Sequence, residues 1–122
     1  FSQSIETYYG LHQDALRHGE AVALGITVAA KMSLLINSNK STENLWYATN
    51  QILDKYFLPN RFNKINNYQV PTKSNLLLNL VNDKKRLHTG NRFILCEAIG
   101  SANVHVIKDQ TLIIKAFSVL YE

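Results

Sequence analysis

The chain has 122 residues, 46% of them hydrophobic, which is enough for one domain with a modest core and too little for an ordinary two-domain enzyme. The net charge is +4, and apart from residues 84–86 the basic side chains are spread along the sequence. Because a surface that tracks phosphates normally carries a basic stripe, this distribution argues against a nucleic-acid partner. The single cysteine, Cys96, excludes an internal disulfide, and its apolar surroundings predict a buried thiol in a reducing, cytoplasmic compartment.

The sequence begins with Phe1, and its first residues contain neither a basic stretch followed by an apolar core nor a small-residue cleavage site. We therefore expect part of a longer protein without a secretory signal. Lys31 and several polar residues interrupt the most apolar segment before it reaches the roughly 18 to 20 residues that cross a bilayer. This pattern predicts a soluble protein without a membrane partner.

Two helices are predicted in the first half of the chain. The segment from Asp14 to Asn37 is apolar on nearly every side, and its glycines and alanines allow close backbone approach, which predicts a buried central helix. A second, amphipathic helix is predicted to begin at an N-cap on Ser41 and to end at Leu58-Pro59. Four of its aromatic residues suit either core packing or a domain interface: Trp46, Tyr47, Tyr56 and Phe57.

The second half mixes short elements. Residues 60–71 lack periodicity, which predicts a surface crossing along another domain. A short helix is predicted over 73–85, capped by Thr72 or Ser74. Two apolar runs around a turn at Gly100 predict a β-hairpin. A last helix is predicted to begin at Asp109 and to bury Ile113, Ala116, Phe117 and Leu120 on one face. The predicted fold class is mainly α with one short β-hairpin.

His18 and Glu20 stand at the entrance of the first predicted helix. Since they are two residues apart, their side chains point to nearly opposite sides and cannot share one metal ion, unlike two histidines four residues apart. Without further information, His18 is interpreted as a packed or capping residue. Glu20 is interpreted as a first-turn carboxylate whose interaction with the helix dipole stabilises the helix by roughly 0.3 to 1 kcal/mol. His12, His88 and His105 have no partner at ligand spacing, and we assign them no role.

Four features in order along the chain resemble the C-terminal domain of 3-dehydroquinate synthase and its sugar-phosphate cyclase relatives. They are FSQSIE at 1–6, RHGEAVALG at 17–25, the break at Leu58-Pro59, and NDKKRLHTGNRFILCEAIG at 82–100. The resemblance covers nearly the whole chain. It implies that residues 1–122 form a single helical domain that binds metal and substrate, facing a cleft toward an N-terminal NAD-binding domain that this chain lacks.

The resemblance also implies roles for individual residues. His18 falls on a ligand of the catalytic divalent metal, zinc or cobalt, while the other two ligands, a glutamate and a histidine, lie upstream of Phe1 in the family. Lys84 or Lys85 falls on a lysine that contacts the substrate, and a compact ammonium suits the carboxylate or phosphate of an acidic sugar phosphate. Gln3 replaces a family histidine at the substrate. It can donate and accept hydrogen bonds but cannot carry a proton between them.

The implied function is conversion of a seven-carbon phospho-keto sugar acid to 3-dehydroquinate with release of phosphate, a lyase step of the shikimate pathway that leads to aromatic amino acids. NAD is expected to bind mainly to the absent domain, the full-length protein is expected to be a homodimer, and this chain alone is expected to be inactive. Two alternatives stay open. Gln3 favours another sugar-phosphate cyclase, and the composition also permits a non-catalytic basic helical module that binds nucleic acid or a protein partner.

Overall fold

The computed structural model describes residues 18–65, 72, 74, 75, 91–107 and 110–122. In chain order, the elements are helix α1 (His18–Ile36), helix α2 (Lys40–Lys55), a 3-10 turn (Phe62–Lys64), strands β1 (Asn91–Ala98) and β2 (Ser101–Ile107), helix α3 (Gln110–Ser118) and a second 3-10 turn (Val119–Tyr121). The described residues are thus mostly helical with one antiparallel hairpin, and the predicted fold class is confirmed.

Helix α1 forms the centre of the domain, as predicted. Its large apolar residues Leu24, Val28 and Met32 are fully buried and belong to one core cluster with residues of the hairpin, α3 and both 3-10 turns. Two buried hydroxyls are satisfied within the helix itself, because Thr27 Oγ1 donates to Ala23 O at 3.0 Å and Ser33 Oγ donates to Ala29 O at 3.1 Å. Polar residues therefore sit inside α1 without leaving a buried donor unpaired.

By length and composition alone, α1 also has the character of a membrane-spanning helix, because an 18-residue stretch within it has a mean hydropathy of 1.6 despite Lys31. Half of this apolar stretch is buried within the domain. Core helices of globular domains share this character, since a helix that is apolar on most sides is covered by other elements.

The start of α2 differs from the prediction, which placed the N-cap on Ser41. The observed N-cap is Asn39, whose backbone is extended and whose Oδ1 accepts a hydrogen bond from Thr42 N at 3.0 Å. Thr42 Oγ1 in turn accepts from Asn39 N at 3.0 Å, which completes a capping box. Ser41 is exposed within the first turn. Asparagine caps at least as well as serine, so the earlier polar residue begins the helix.

The end of α2 also differs, since the last helical residue is Lys55 rather than Leu58. Leu58 N donates to Leu53 O at 2.8 Å and Phe57 N donates to Asp54 O at 3.2 Å, which is the hydrogen-bond pattern of a Schellman motif. Phe57 therefore takes the left-handed position, with φ 58°, that glycine usually occupies. Its ring is 95% exposed, so no packing compensates for the strain.

The segment after α2 was predicted to cross the surface, and within residues 60–65 this prediction is wrong for three residues, whereas Asn63 and Lys64 are exposed. Asn60, Phe62 and Ile65 are buried, and the Phe62 ring packs edge-on against Tyr121 with ring centroids 5.0 Å apart. A 3-10 turn alternates buried and exposed residues too briefly to leave a periodic signal in the sequence. Residues 66–71 lie outside the described part of the chain.

Arg61 links this segment to α2. Its guanidinium lies over the Trp46 ring, 5.4 Å from the centroid, while Lys31 Nζ of α1 lies 5.2 Å from the same centroid. Arg61 Nη1 also donates to Asn50 Oδ1 at 3.1 Å and to Asn60 O at 2.7 Å. Two cations on one aromatic ring therefore join α1, α2 and the segment that follows.

Strands β1 and β2 form the predicted hairpin, joined by a two-residue turn in which Gly100 has φ 84°. Leu95 and Ile107 are buried against the helices. Cys96 is exposed, so the predicted buried thiol is wrong. The physical reason is strand alternation, because the residue that follows an inward-facing Leu95 points to the opposite side of the sheet.

The last two helix predictions have different outcomes. In α3 and the turn after it, the predicted buried face is confirmed, since Ile113, Ala116, Phe117 and Leu120 are all buried. Asp109 lies outside the described residues. Most of the predicted helix over 73–85 also lies outside them, although Ser74 and Asn75 are helical and Thr72 Oγ1 accepts a hydrogen bond from Asn75 N at 3.2 Å. Thr72 thus makes the capping contact predicted for it.

The capping box predicts that Asn39→Ala lowers the free energy of unfolding by about 0.5 to 2 kcal/mol, because Thr42 N loses its acceptor. Ser41→Ala is the matched control and is expected to be neutral or slightly stabilising, since Ser41 is an exposed helical position. Urea unfolding monitored by circular dichroism measures both. An equal loss in the two variants would contradict Asn39 as the cap.

The Schellman motif predicts that Phe57→Gly raises the free energy of unfolding by up to about 1 kcal/mol, because glycine adopts φ 58° without strain and an almost fully exposed ring contributes no packing. Tyr56→Gly is the matched control, since Tyr56 is also an exposed aromatic residue but has φ −101°. We expect the control to lower stability. The same unfolding measurement checks both signs, and a loss in Phe57→Gly would refute the strain.

Candidate functional site

His18 is the first residue of α1 and is exposed. Most residues of the helix between Ala21 and Ser33 are buried, so the exposed end of a core element presents this imidazole to solvent. A metal-ligand role for His18 requires that its ring does not pack inward among aliphatic side chains. The exposed position of His18 meets that condition.

The small residues of α1 differ in how closely other parts of the domain pack against them. Ala21, Ala23 and Ala30 are buried, as expected for positions that let neighbouring elements approach closely. Gly19 differs, because a Cβ built at Gly19 would meet no atom within 4 Å. The sequence predicted that another element packs closely against Gly19, and no described residue does so.

A metal ion bound at His18 would need further ligands. Within the described ranges, no group of three or more His, Cys, Asp or Glu side chains is placed to hold a metal ion. The imidazole of His18 is a suitable nitrogen donor for zinc, and structural or catalytic zinc sites use at least three protein ligands. The described residues therefore fit one position of such a site, and the other ligands must come from elsewhere in the protein.

Of the predicted site residues, His18 alone has a position in the described structure. Gln3, Lys84 and Lys85 all lie outside the described residues. That they share one site with His18 remains an expectation from the family resemblance. The described structure therefore locates the proposed site only through the first turn of α1.

A small cavity of about 90 Å³ lies at the other end of α1. There the His105 Nε2 atom lies 3.4 Å from Glu97 Oε1. No role was predicted for His105 from the sequence. Its partner in the strand register is Phe93, and Glu97 lies at the β-bulge between Cys96 and Ala98, which residue spacing does not reveal. The cavity is lined by Ser33, Ile36, Thr42, Leu95, Glu97 and His105, among others.

This cavity is separate from His18. Helix α1 rises about 1.5 Å per residue, so its 19 residues place the two ends roughly 28 Å apart. Ser33, the residue of α1 nearest to His18 in the cavity lining, is already 15 residues along the helix, roughly 22 Å from its start, so the cavity and His18 are separate places in the domain.

Known proteins resemble this chain. A 3-dehydroquinate synthase of Clostridium tetani (strain Massachusetts / E88) is 31% identical over 104 residues, which is 85% of this chain and 26% of that protein. The 3-dehydroquinate synthases of two Prochlorococcus marinus strains are 30% identical over 106 residues (AS9601) and 33% identical over 101 residues (MIT 9312), in each case 83% of this chain and 26% of the relative. No protein-family model matches the chain.

The chain spans about a quarter of the length of the curated relatives it matches. A match of this kind is consistent with one domain of a larger enzyme, and it agrees with the motifs HGEAVALG and DKK read from the sequence. Over more than four fifths of its own length, this chain is therefore related to 3-dehydroquinate synthase, and the resemblance predicted from its motifs is confirmed.

Proposed function

We propose that this chain is the C-terminal domain of a 3-dehydroquinate synthase, the enzyme that converts a seven-carbon phospho-keto sugar acid to 3-dehydroquinate with release of phosphate. The observation that carries the proposal is the similarity over 83 to 85% of the chain to proteins of that name. The exposed His18 at the end of the buried helix α1 supports it, because a metal ligand must face an open cleft while its backbone stays fixed.

In this proposal, the His18 imidazole supplies one ligand for a divalent metal, zinc or cobalt, and residues outside this chain supply the rest. When bound, the metal provides Lewis-acid polarisation of a substrate oxygen. NAD is bound mainly by the remainder of the full-length protein and provides the redox chemistry. The contribution of α1 is positional, since a buried helix holds its first side chain within a narrow range of orientations.

The substrate contacts proposed for this chain come from its basic and amide side chains. Lys84 or Lys85 pairs with the carboxylate or phosphate of the substrate, and these charge-assisted contacts orient an acidic sugar phosphate. Gln3 donates or accepts a hydrogen bond at the position where the family has a histidine. Because an amide cannot relay a proton, phosphate elimination here would need a proton acceptor other than residue 3.

The second candidate is another sugar-phosphate cyclase, and Gln3 is the specific observation that favours it. A different side chain at a substrate-contacting position changes which substrate hydroxyl or phosphate is recognised. For either reaction we propose a cytoplasmic homodimer, as the family resemblance implies.

The substrate assay uses the full-length protein with NAD and zinc. We expect phosphate release from the seven-carbon phospho-keto acid and none from sedoheptulose 7-phosphate, measured as inorganic phosphate over time. The 122-residue chain alone is expected to release none, because one imidazole does not complete the metal site. The reverse substrate preference would establish the other cyclase, and no release from either sugar would count against both enzymes.

The role of His18 is tested by His18→Ala in the full-length protein. Losing a metal ligand removes several kcal/mol of charge stabilisation, so we expect phosphate release to fall by at least about 10²-fold. Bound zinc, measured by atomic emission, should fall in parallel. His105→Gln is the matched control, because that histidine lies near the opposite end of α1 and should leave both readouts unchanged. Full zinc content in His18→Ala would remove His18 from the ligand set.

A further inference from the structure

The hairpin has an apolar face that points away from the domain core. Ile94 and Val104 are a direct cross-strand pair, and they are 75% and 62% exposed. Val106, two residues further along β2, is 51% exposed. Residues directly opposite each other lie on the same face of a sheet, and residues two apart in a strand share that face. These three residues, together with the exposed pair Cys96 and Ala102, form the surface that we call the outer hairpin face.

This face departs from the usual pattern of a solvent-exposed hairpin. Antiparallel sheets with one buried face normally alternate apolar residues inward with polar residues outward. Here the inward side carries Leu95 and Ile107, and the outward side is apolar as well. The five residues of the outer hairpin face are uncharged, and the register places one basic residue, Arg92, opposite Val106 at the edge of this face. An outward face made of exposed apolar side chains has the composition of a surface that another protein segment covers.

We propose that the outer hairpin face is an interface covered by the part of the full-length synthase polypeptide that lies outside this chain. The inference rests on the proposed function, because it requires this chain to be one domain of a larger enzyme. It adds the surface on which that larger part docks.

The size of the face distinguishes this occupant from a second copy of the chain. A stable interface between separate proteins buries about 800 Å² and about 20 to 30 residues on each side, whereas the outer hairpin face has five residues. A covalently linked domain needs less area, because the linker raises the effective concentration of the two surfaces to the millimolar range. The relatives leave ample polypeptide for this role, since the chain spans only 26% of their length.

Thiol labelling tests this assignment without disturbing the fold. In a Cys96→Ala background, V104C places a thiol on the outer hairpin face, and I52C places one on the outer side of α2 as a control of similar exposure, 62% against 56%. Maleimide labelling followed by peptide mass mapping gives the rate at each position. In the 122-residue chain we expect similar rates at both positions. In the full-length protein we expect V104C to react roughly tenfold or more slowly, with I52C unchanged.

Each other outcome overturns the proposal. Equal rates for V104C in the chain and in the full-length protein would show an uncovered face. Slow labelling in the 122-residue chain at all concentrations would mean that the chain covers the face itself. Protection that grows with chain concentration would identify a second copy as the occupant. Val104→Lys provides an independent readout, since it should lower the unfolding midpoint of the full-length protein and leave that of the 122-residue chain unchanged.

The labelling result is independent of catalysis. A full-length protein that protects V104C but releases no phosphate would retain the interface and lose the proposed synthase activity. A full-length protein that releases phosphate but leaves V104C fully reactive would retain the activity and lose the interface.

Discussion

Burial of helix α1 is the constraint on which the rest of this domain depends. α2, the hairpin, α3 and the final 3-10 turn all contact α1, and its fully buried residues Leu24, Val28 and Met32 form the middle of the core cluster. Burying one such side chain contributes roughly 1.5 to 3 kcal/mol, so three adjacent turns supply a large share of the stability of a 122-residue domain. Any displacement of α1 would disturb every contact at once. The helix therefore fixes the position of whatever its ends carry.

The elements around α1 are held by local devices that differ from the simplest sequence rules. Asn39 caps α2 although a serine follows two residues later, and Phe57 ends it in a conformation that glycine usually supplies. The Trp46 ring with Lys31 and Arg61 then ties α2 to α1 and to the buried segment at residues 60–65. These contacts are specific in geometry but modest in energy, on the order of 0.5 to 2 kcal/mol each. They set the register of the elements, while apolar burial provides most of the stability.

Sequence periodicity predicted those parts of the fold whose signal extends over several turns or strand residues. It identified α1, the buried face of α3 and the hairpin, because burial repeats there with period 3.6 or 2. It failed at residues 60–65, where one turn of 3-10 helix buries Phe62 without a repeat, and at Cys96, where an apolar run concealed the alternation. The approach of Glu97 to His105 depends on a β-bulge, which has no signal in the residue types. For the site, periodicity predicted only that His18 lies at the start of a helix. Its role as a metal ligand was predicted from the motif resemblance alone.

Two features of the domain are incomplete by themselves, and they lie toward different ends of α1. His18, the proposed metal ligand, lies at the first turn, whereas the hairpin packs beside the last turn, where Leu95 and His105 line a cavity with Ser33. If one domain covers both features, as we propose, it extends over a distance comparable with the roughly 28 Å length of α1. Even a 100-residue domain has a radius of gyration of about 13 Å, so a single neighbouring domain is large enough to reach both ends. Docking on the hairpin would then also fix the orientation of the second domain relative to the end of α1 that carries His18. In that arrangement the apolar hairpin and the metal ligand are two contacts of one interdomain cleft, joined by the same buried helix.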